Sequence, residues 1–274
     1  MKNIVNHKWL KDNLDKNSLV ILDVREEIEE ASGQSLYNKG HIKGAQYVSF
    51  NDVMVKEASK HGGRSPLPDL ETFTQDMRAF GIDDNSIVVI YDDGNITRAG
   101  RLWWMLKLIG KDKVFVLDGG YDKWIDINGE ITREIPAVEK SASLSLNTNK
   151  EIIVDMEYVK DAIGSNTAAI VDARAYERYT GEVEPIDRLP GHIPSALNFP
   201  WANLIKDGEL LSLNEAREYF KELEDYEEII VYCGSGITAS VSILLLDEMG
   251  LNPKHYAGGY SDWISYKGNE SVSE

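Results

Sequence analysis

Cys233 is the only cysteine among the 274 residues of the chain. It follows the apolar run 229–232, which predicts a short buried strand, and it precedes the loop Gly234-Ser235-Gly236-Ile237-Thr238. After Thr238, apolar residues recur at helical spacing, and Gly250 marks the expected end of a helix. In a strand-loop-helix turn, the loop N–H groups and the positive end of the helix dipole stabilise an anion such as a thiolate. We therefore interpret Cys233 as a nucleophile rather than as a small buried hydrophobic residue.

Composition restricts the classes of protein to consider. With 42% hydrophobic and 27% charged residues, the chain can form a packed core of one large domain or two ordinary ones. No apolar run approaches the roughly 18 residues that span a bilayer, and the first ten residues lack the apolar core of a signal peptide. A single cysteine allows neither an internal disulfide nor a cysteine-rich metal site, so we expect a cytoplasmic protein without metal or cofactor. The net charge of −17 disfavours nucleic acid as a partner.

The same order of sequence signals occurs twice, which indicates a tandem duplication. Residues 19–25 match 169–174, residues 40–45 match 191–196, residues 87–97 match 229–238, and residues 119–124 match 258–263. In each half, short apolar runs without alternation are separated by helical patterns, which is typical of a parallel sheet covered on both faces. We predict an α/β fold with an N-terminal domain over 1–136, a linker over 137–150 and a C-terminal domain over 151–274. Trp103 and Trp104 are expected in the core.

These duplicated motifs carry a resemblance to a known family. They are Asp-x-Arg after the first strand, Gly-His-Ile-x-x-Ala, the cysteine loop and the closing Gly-Gly-x-x-x-Trp. Together they resemble the tandem-domain sulfurtransferases of the rhodanese family over essentially the whole chain. The resemblance implies two rhodanese-like domains, of which the C-terminal one is catalytic and the N-terminal one has lost its nucleophile. In agreement with this, Asp92 stands where Cys233 stands in the second half.

The resemblance implies a transfer of sulfane sulfur in two steps. The Cys233 thiolate takes the outer sulfur from a small anionic donor and becomes a persulfide, and a thiol or cyanide then removes that sulfur. Because the chain has no second cysteine, its own side chains cannot resolve the persulfide by forming a disulfide. We therefore expect an external acceptor such as a small thiol or a thioredoxin-like protein.

The choice of donor depends on the residues around the nucleophile. Family members that prefer thiosulfate carry cationic side chains directly after the cysteine, whereas Gly234 and Ser235 are neutral. The loop is similar to that of the mercaptopyruvate sulfurtransferases, which also hold the substrate carboxylate with arginines. Arg178 matches the first of these arginines, and Arg188 is a candidate for the second although its spacing differs by one residue. The sequence favours 3-mercaptopyruvate and leaves thiosulfate as the alternative donor.

Other polar residues are assigned by the same resemblance. Ser235 is a candidate catalytic residue that would relay a proton with His61 and Asp52, as in some mercaptopyruvate enzymes. Both of these partners come from the irregular stretch 51–68. His41 and His192 occur once in each half, whereas the cysteine occurs in only one, so we expect both histidines to brace the fold.

Two alternatives from other classes stay open at this point. A phosphatase also uses a strand, a cysteine loop and a helix, but it needs an arginine six residues after the cysteine, where this chain has Ala239. A thiol sensor or a persulfide carrier would form the persulfide without repeated turnover.

In the first half of the chain, the sixth residue after Asp92 is Arg98. We expect Arg98 to pair with Asp92 or Asp93 and to fill that loop.

Overall fold

The computed structural model describes residues 2–25, 32–138 and 143–274, and these residues form two compact units. The first unit comprises Met1–Lys56, Pro68–Asn149 and Asp207–Leu210, and the second comprises Glu57–Leu67, Lys150–Lys206 and Leu211–Glu274. Each unit thus includes a short segment from the other half of the sequence. Of the linker expected over 137–150, residues 139–142 lie outside the described part of the chain. Among the described residues, no helix combines the length and apolar character needed to cross a bilayer.

The first unit is built around a parallel sheet. Its strands are β1 (Ile4–Val5), β2 (Leu19–Asp23), β3 (His41–Ile42), β4 (Ala45–Tyr47), β5 (Ile87–Tyr91), β6 (Val114–Leu117) and β7 (Ile131–Thr132). Its helices are α1 (His7–Lys11), α2 (Gly33–Lys39), α3 (Leu70–Ala79), α4 (Thr97–Leu108) and α5 (Gly120–Asp126). The sheet has the order β1-β6-β5-β2-β4, and every neighbouring pair in it is parallel.

The second unit repeats this topology. Its strands are β8 (Ile153–Val154), β9 (Ala168–Asp172), β10 (Leu197–Asn198), β11 (Ile205–Lys206), β13 (Glu228–Tyr232) and β14 (Lys254–Tyr256), while β12 (Glu209–Leu210) falls in the 207–210 segment of the first unit. Its helices are α6 (Met156–Asp161), α7 (Tyr176–Thr180), α8 (Leu213–Tyr219), α9 (Ala239–Glu248) and α10 (Gly259–Trp263). The parallel order β10-β9-β13-β14-β8 corresponds strand by strand to the first sheet and confirms the predicted fold class.

Helices cover both faces of each sheet, because successive strand residues point to opposite sides. On one face of the second sheet, Ile230 and Tyr232 pack in a cluster with residues of α6, α7 and α10. Helix α9 packs against β13 and β14. In the first unit, Val89 clusters with residues of α1 and α5, and α4 packs against β5 and β6. Trp103 and Trp104 of α4 are buried in the core, as predicted.

Each sheet has a buried ion pair at the carboxyl end of one strand. In the first unit, Arg25 donates to the Asp23 carboxylate at 2.7 and 3.0 Å and to the carbonyl oxygen of Gly40 at 2.7 Å. Its guanidinium carbon lies 3.7 Å from the ring centre of Tyr121 in α5. The matching contacts in the second unit join Arg174 to Asp172 at 2.6 Å, to the Gly191 carbonyl at 2.7 Å and to the Tyr260 ring at 4.0 Å. One arginine therefore holds together a strand end, the Gly-His loop and the closing helix.

His41 and His192 brace the two units in the same way. The His41 ring is stacked on Tyr37 with a centroid distance of 3.7 Å, and the His192 ring on Tyr179 at 3.8 Å. In each case Nδ1 lies within hydrogen-bond distance of the carbonyl oxygen of the stacked tyrosine, at 2.9 and 2.8 Å. Both histidines therefore brace the fold, as their occurrence in both halves predicts.

The buried pair yields a prediction about stability. In Arg25→Met, the Asp23 carboxylate, which is 0% exposed, loses its charged partner, so we expect a loss of about 3–5 kcal/mol in the free energy of unfolding. Urea unfolding followed by tryptophan fluorescence measures this loss. Lys8→Ala serves as the control, because it removes an ion pair with Asp12 that is largely solvent-exposed and should change stability little. Equal effects of the two substitutions would contradict the prediction.

Candidate active site

The thiol of Cys233 lies at the end of β13, where the chain enters the loop to α9. The residue is buried, with 2% of its surface exposed, and the backbone N–H of Gly236 donates to its Sγ at 3.2 Å. Gly236 has a φ of +75°, in the left-handed region that glycine adopts without steric cost. This conformation turns the Gly236 amide back toward the sulfur, where it stabilises a negative charge. The strand and the helix on either side of the loop lie where the sequence predicted them, and we call residues 233–238 the nucleophile loop.

The closing helix α10 holds the loop in place by backbone hydrogen bonds. The amide of Tyr260 donates to the carbonyl oxygen of Cys233 at 2.8 Å, and the amide of Ser261 donates to that of Gly234 at 3.0 Å. A Cβ atom on Gly259 would lie only 2.7 Å from the Cys233 carbonyl oxygen, so this close approach requires glycine. The second glycine of the closing motif is thus explained by its backbone contact with the cysteine.

Two guanidinium groups lie over Gly234, the residue that follows Cys233. A Cβ atom on Gly234 would lie 2.9 Å from Nη2 of Arg64 and 3.5 Å from both Nη atoms of Arg178. Any larger residue at 234 would displace one of these cations. The sequence predicted Arg178 near the loop but missed Arg64, since a single arginine in an irregular stretch carries no pattern that distinguishes it from a surface residue.

Two buried carboxylates neutralise these arginines. Arg178 donates to Glu184 at 2.9 Å and to Asp187 at 2.8 Å, and Arg64 forms an ion pair with the other oxygen of Asp187. The side chains of Glu184 and Asp187 are each 3% exposed, against 18% for Arg178 and 37% for Arg64. Burial, and then the neighbouring Arg178 charge, lower the pKa of Arg64 from its ordinary value. We call these four residues the Arg64–Asp187 cluster.

The segment 57–67 that carries Arg64 is anchored on α10 and the residues after it. The amide of Gly62 donates to the Asp262 carboxylate at 2.6 Å, and the amide of Arg64 donates to Ser261 Oγ at 3.1 Å. His61 is stacked on Tyr266 at 4.1 Å and has Nδ1 2.8 Å from Ser265 Oγ. These contacts position the backbone from which the Arg64 side chain extends toward the loop.

The remaining predicted site residues occupy different places. Arg188 donates to the carbonyl oxygen of Ile264 at 3.0 Å, at the end of α10, and its described contacts do not include the cluster. Ser235 is half-buried in the nucleophile loop, as are Ile237 and Thr238. Asp52 belongs to the first unit, where it lies in a π-helical turn capped by Ser49. The relay from Ser235 through His61 to Asp52 stays a prediction.

Asp92 occupies the place of the cysteine in the first unit. Its carboxylate accepts hydrogen bonds from the amides of Gly94 at 2.9 Å, Ile96 at 3.0 Å and Ala99 at 3.1 Å. The loop amides that would stabilise a thiolate are thus bound to a carboxylate of the chain itself. The guanidinium of Arg98 lies over the ring of Phe50 at 3.4 Å, and its pairing with Asp92 or Asp93 stays a prediction.

Comparison with known proteins agrees with this geometry. The sequence model of the rhodanese-like domain matches residues 6–127 and 155–266. A 3-mercaptopyruvate sulfurtransferase of Escherichia coli (strain K12) is 37% identical over 268 residues, which cover 93% of this chain and 92% of that protein. A putative thiosulfate sulfurtransferase of Mycobacterium tuberculosis is 32% identical over 248 residues, covering 89% and 87% of the two chains. The crystal structure of the 3-mercaptopyruvate sulfotransferase SseA from Escherichia coli matches with a TM-score of 0.83 and 32% identity, covering 95% of this chain and 100% of that one.

The chain belongs to the rhodanese family, in which it has two domains of the same fold. Its similarity to sulfurtransferases extends over nearly its full length, through both the domain with the thiol and the domain without it. It is an enzyme of that class, a sulfurtransferase.

The left-handed glycine of the loop can be tested by substitution. Gly236→Ala should cost about 1–2 kcal/mol, because an L-residue in this conformation crowds its own backbone, and it should also move the amide away from Sγ. The control is Gly164→Ala, since Gly164 has a φ of +72° with no atom within 4 Å of its Cβ position. Thermal unfolding should detect both substitutions, whereas the rate of Cys233 alkylation by iodoacetamide should fall only in Gly236→Ala. An unchanged alkylation rate would show that this amide does not activate the thiol.

Proposed function

We propose that the chain moves sulfur from 3-mercaptopyruvate, through a persulfide on Cys233, to an external thiol. The observation that supports this donor is the position of Arg178 over Gly234, directly beside the nucleophile. A guanidinium there can bind the carboxylate of a small donor in a bidentate manner while the donor sulfur meets Sγ. The name of the Escherichia coli relative points to the same donor.

In the first step, the Cys233 thiolate attacks the sulfur of 3-mercaptopyruvate and forms a sulfur–sulfur bond. The carbon–sulfur bond of the donor breaks, and its electron pair leaves on carbon as the enolate of pyruvate. This enolate takes up the proton of the donor thiol, so the products are pyruvate and the enzyme persulfide. Ser235, half-buried beside Cys233, is the residue we assign to relay this proton, with His61 and Asp52 as its proposed partners. The Gly236 amide stabilises the sulfur anion.

In the second step, the thiolate of the acceptor attacks the outer sulfur of the persulfide. The sulfur–sulfur bond to the enzyme breaks, its electron pair returns to Cys233 as thiolate, and the acceptor leaves as its own persulfide. With a single cysteine in the chain, the acceptor has to come from outside. A small thiol or a thioredoxin-like protein in a reducing, cytoplasmic compartment has this chemistry.

Thiosulfate is the second candidate donor. Its sulfonate end is an anion that the same arginines can bind, and sulfite would be the leaving group in place of the enolate. The printed name of the Mycobacterium tuberculosis relative favours this alternative. Gly234 and Ser235 are both neutral, which argues against thiosulfate, because the loop adds no further cation for a doubly charged donor.

The donor is tested by steady-state kinetics with one acceptor. The wild-type enzyme should have a higher kcat/KM for 3-mercaptopyruvate than for thiosulfate, since a carboxylate matches the planar fork of Arg178. A preference for thiosulfate would refute the proposed donor but not the sulfur transfer itself.

The sulfur carrier is tested by intact-mass spectrometry after treatment with donor alone. The wild-type chain should gain the mass of one sulfur atom, and Cys233→Ser should gain none because no other thiol is present. Ser235→Ala is the matched loop variant, which should still form the persulfide but at a lower rate. Sulfur transfer by Cys233→Ser would refute the mechanism. Persulfide formation in the wild type without repeated turnover in the presence of acceptor would indicate a carrier rather than an enzyme.

A further inference from the structure

We propose that the first unit binds a free amino acid in its zwitterionic form, with Arg98 at the carboxylate and Asp52 at the ammonium group. Both residues line a cavity of about 580 Å³ that lies within the described part of this unit. Small-molecule sites in proteins have volumes of roughly 300–1,000 Å³ and combine apolar walls with a few polar groups. The proposal concerns a ligand of the unit without the thiol, so it does not depend on the identity of the sulfur donor.

The charges in the cavity lining are balanced but separated. Arg25 also lines the cavity, but its guanidinium is paired with Asp23 at 2.7 Å. Among the described residues of the lining, Arg98 and Asp52 then carry the remaining charges, one of each sign. Asp52 would repel a simple anion and Arg98 a simple cation. A ligand that is neutral overall but carries both charges, as an amino acid does, matches this lining.

The Arg98 guanidinium is held in a manner that suits carboxylate binding. Its central carbon lies 3.4 Å from the centre of the Phe50 ring, so the ring covers one face of the cation. The N–H groups of a guanidinium point outward in its own plane, where two of them can bind a carboxylate side by side. With five such donors, Arg98 can bind a ligand and also form the pairing with Asp92 or Asp93 that the sequence predicts.

Asp52 and Tyr47 lie beside this cation. Asp52 is exposed, so a ligand can reach it from solvent, and its amide donates to Ser49 Oγ at 3.3 Å at the start of the π-helical turn. Burial and the carboxylates of Asp23 and Asp52 raise the pKa of the Tyr47 hydroxyl, whereas the Arg98 charge lowers it. Both charges therefore act on one phenol group of the lining, which places them in the same part of the cavity.

The cavity also has an apolar wall, which Phe80 and Val53 supply. The Gln46 side chain donates to the carbonyl oxygen of Phe80 at 3.0 Å and so holds the end of α3 beside β4. Burial of an apolar side chain against this wall stabilises a complex. Amino acids with an apolar or aromatic side chain should therefore bind more tightly than serine.

The second unit lacks the two distinctive groups of this site at the corresponding positions. Asn198 corresponds to Tyr47, because each pairs in register with the aspartate that ends the neighbouring strand. The Asn198 amide donates to two backbone carbonyl oxygens at 3.0 and 2.9 Å and so binds the chain itself. The position of Arg98 is taken by Ala239. The phenol and the cation thus occur in the unit without the thiol, and sulfur transfer does not account for them.

Thermal unfolding of the full chain with four amino acids tests the proposal. L-Serine, L-methionine, L-phenylalanine and L-tryptophan are each added at about 10 mM, and at least one of the apolar three should raise the unfolding midpoint by about 2 °C or more. Calorimetry then gives the dissociation constant of the most stabilising one. No stabilisation by any of the four would overturn the proposal.

The need for both charges is tested with analogues of the ligand that binds most tightly. For L-phenylalanine these are 3-phenylpropanoate, which lacks the ammonium group, and 2-phenylethylamine, which lacks the carboxylate. Each analogue should bind about ten-fold more weakly, because one charge-assisted contact is lost. Equal binding of the analogue without the ammonium group would show a site for simple carboxylates and would overturn the assignment to amino acids.

Substitutions locate the ligand in the cavity. Arg98→Gln should raise the dissociation constant by about ten-fold or more, and Arg98→Lys should recover part of the affinity by restoring the charge. Asp52→Asn should raise it several-fold, and because binding is measured without turnover, this result is separate from the relay assigned to Asp52 above. The matched control is Arg133→Gln, which removes an exposed arginine bound to the Lys39 carbonyl oxygen and should change the constant by less than about two-fold.

Two further variants keep the location falsifiable. Asn51→Trp places a large ring at an exposed edge of the cavity and should abolish binding even if Arg98→Gln fails to fold. Arg178→Gln removes a cation beside the nucleophile loop and should leave the dissociation constant within about two-fold of the wild-type value. Loss of binding in Arg178→Gln, or unchanged binding in Asn51→Trp, would place the ligand elsewhere and overturn the proposal.

Discussion

The position of the nucleophile loop depends on a buried ion pair between Asp172 and Arg174. The Asp172 carboxylate is fully buried, and a buried charge destabilises a protein unless a partner and hydrogen bonds compensate it. Arg174 supplies both, and although burial alone would lower the pKa of Arg174, the Asp172 charge raises it above its ordinary value. The same guanidinium is stacked on Tyr260, whose amide donates to the carbonyl oxygen of Cys233. The position of the thiol is thus connected through one tyrosine to the ion pair at the end of β9.

The two units of the chain separate architecture from chemistry. The first unit has the same buried ion pair and the same tyrosine under its arginine. The amide of this Tyr121 also donates to the carbonyl oxygen of Asp92 at 2.8 Å, yet the unit has no thiol. These features are therefore requirements of the fold rather than of sulfur transfer. What differs is the group that faces the loop amides, a carboxylate in Asp92 and a sulfur in Cys233. Because the Asp92 carboxylate accepts from three amides, a cysteine is not the only residue that can stabilise this loop, and the fold persists without the thiol.

The fold could be predicted from the sequence because its determinants are local. Buried parallel strands form uninterrupted apolar runs, so the strand predicted over 229–232 lies within β13 (Glu228–Tyr232). Helix α9 begins at Ala239 and ends before Gly250, which has a φ of +85°, as helical spacing and a glycine stop predict. The duplication then provides an internal check, since two weak patterns in the same order support each other.

The arginine cluster could not be predicted in the same way. Arg64 reaches the loop because segment 57–67 docks on α10, and that docking requires Gly62 and Gly63 at φ values of +99° and +79°. Glycines in an irregular stretch indicate flexibility of the backbone but not where the chain goes. In the stretch before the Gly-His motif no helical or strand period fixes the side-chain directions, so the sequence could not show that Asp187 pairs with Arg64 and Arg178.

The cluster carries no excess positive charge, in a chain whose net charge is −17. Two arginines packed together without counterions would repel each other, and the lowered pKa of Arg64 reflects burial and this repulsion. Glu184 and Asp187 offset the repulsion, but they also remove the excess positive charge that would attract anions from a distance. The four side chains thus stabilise one another, and the position of the two arginines follows from this mutual neutralisation rather than from an excess of positive charge.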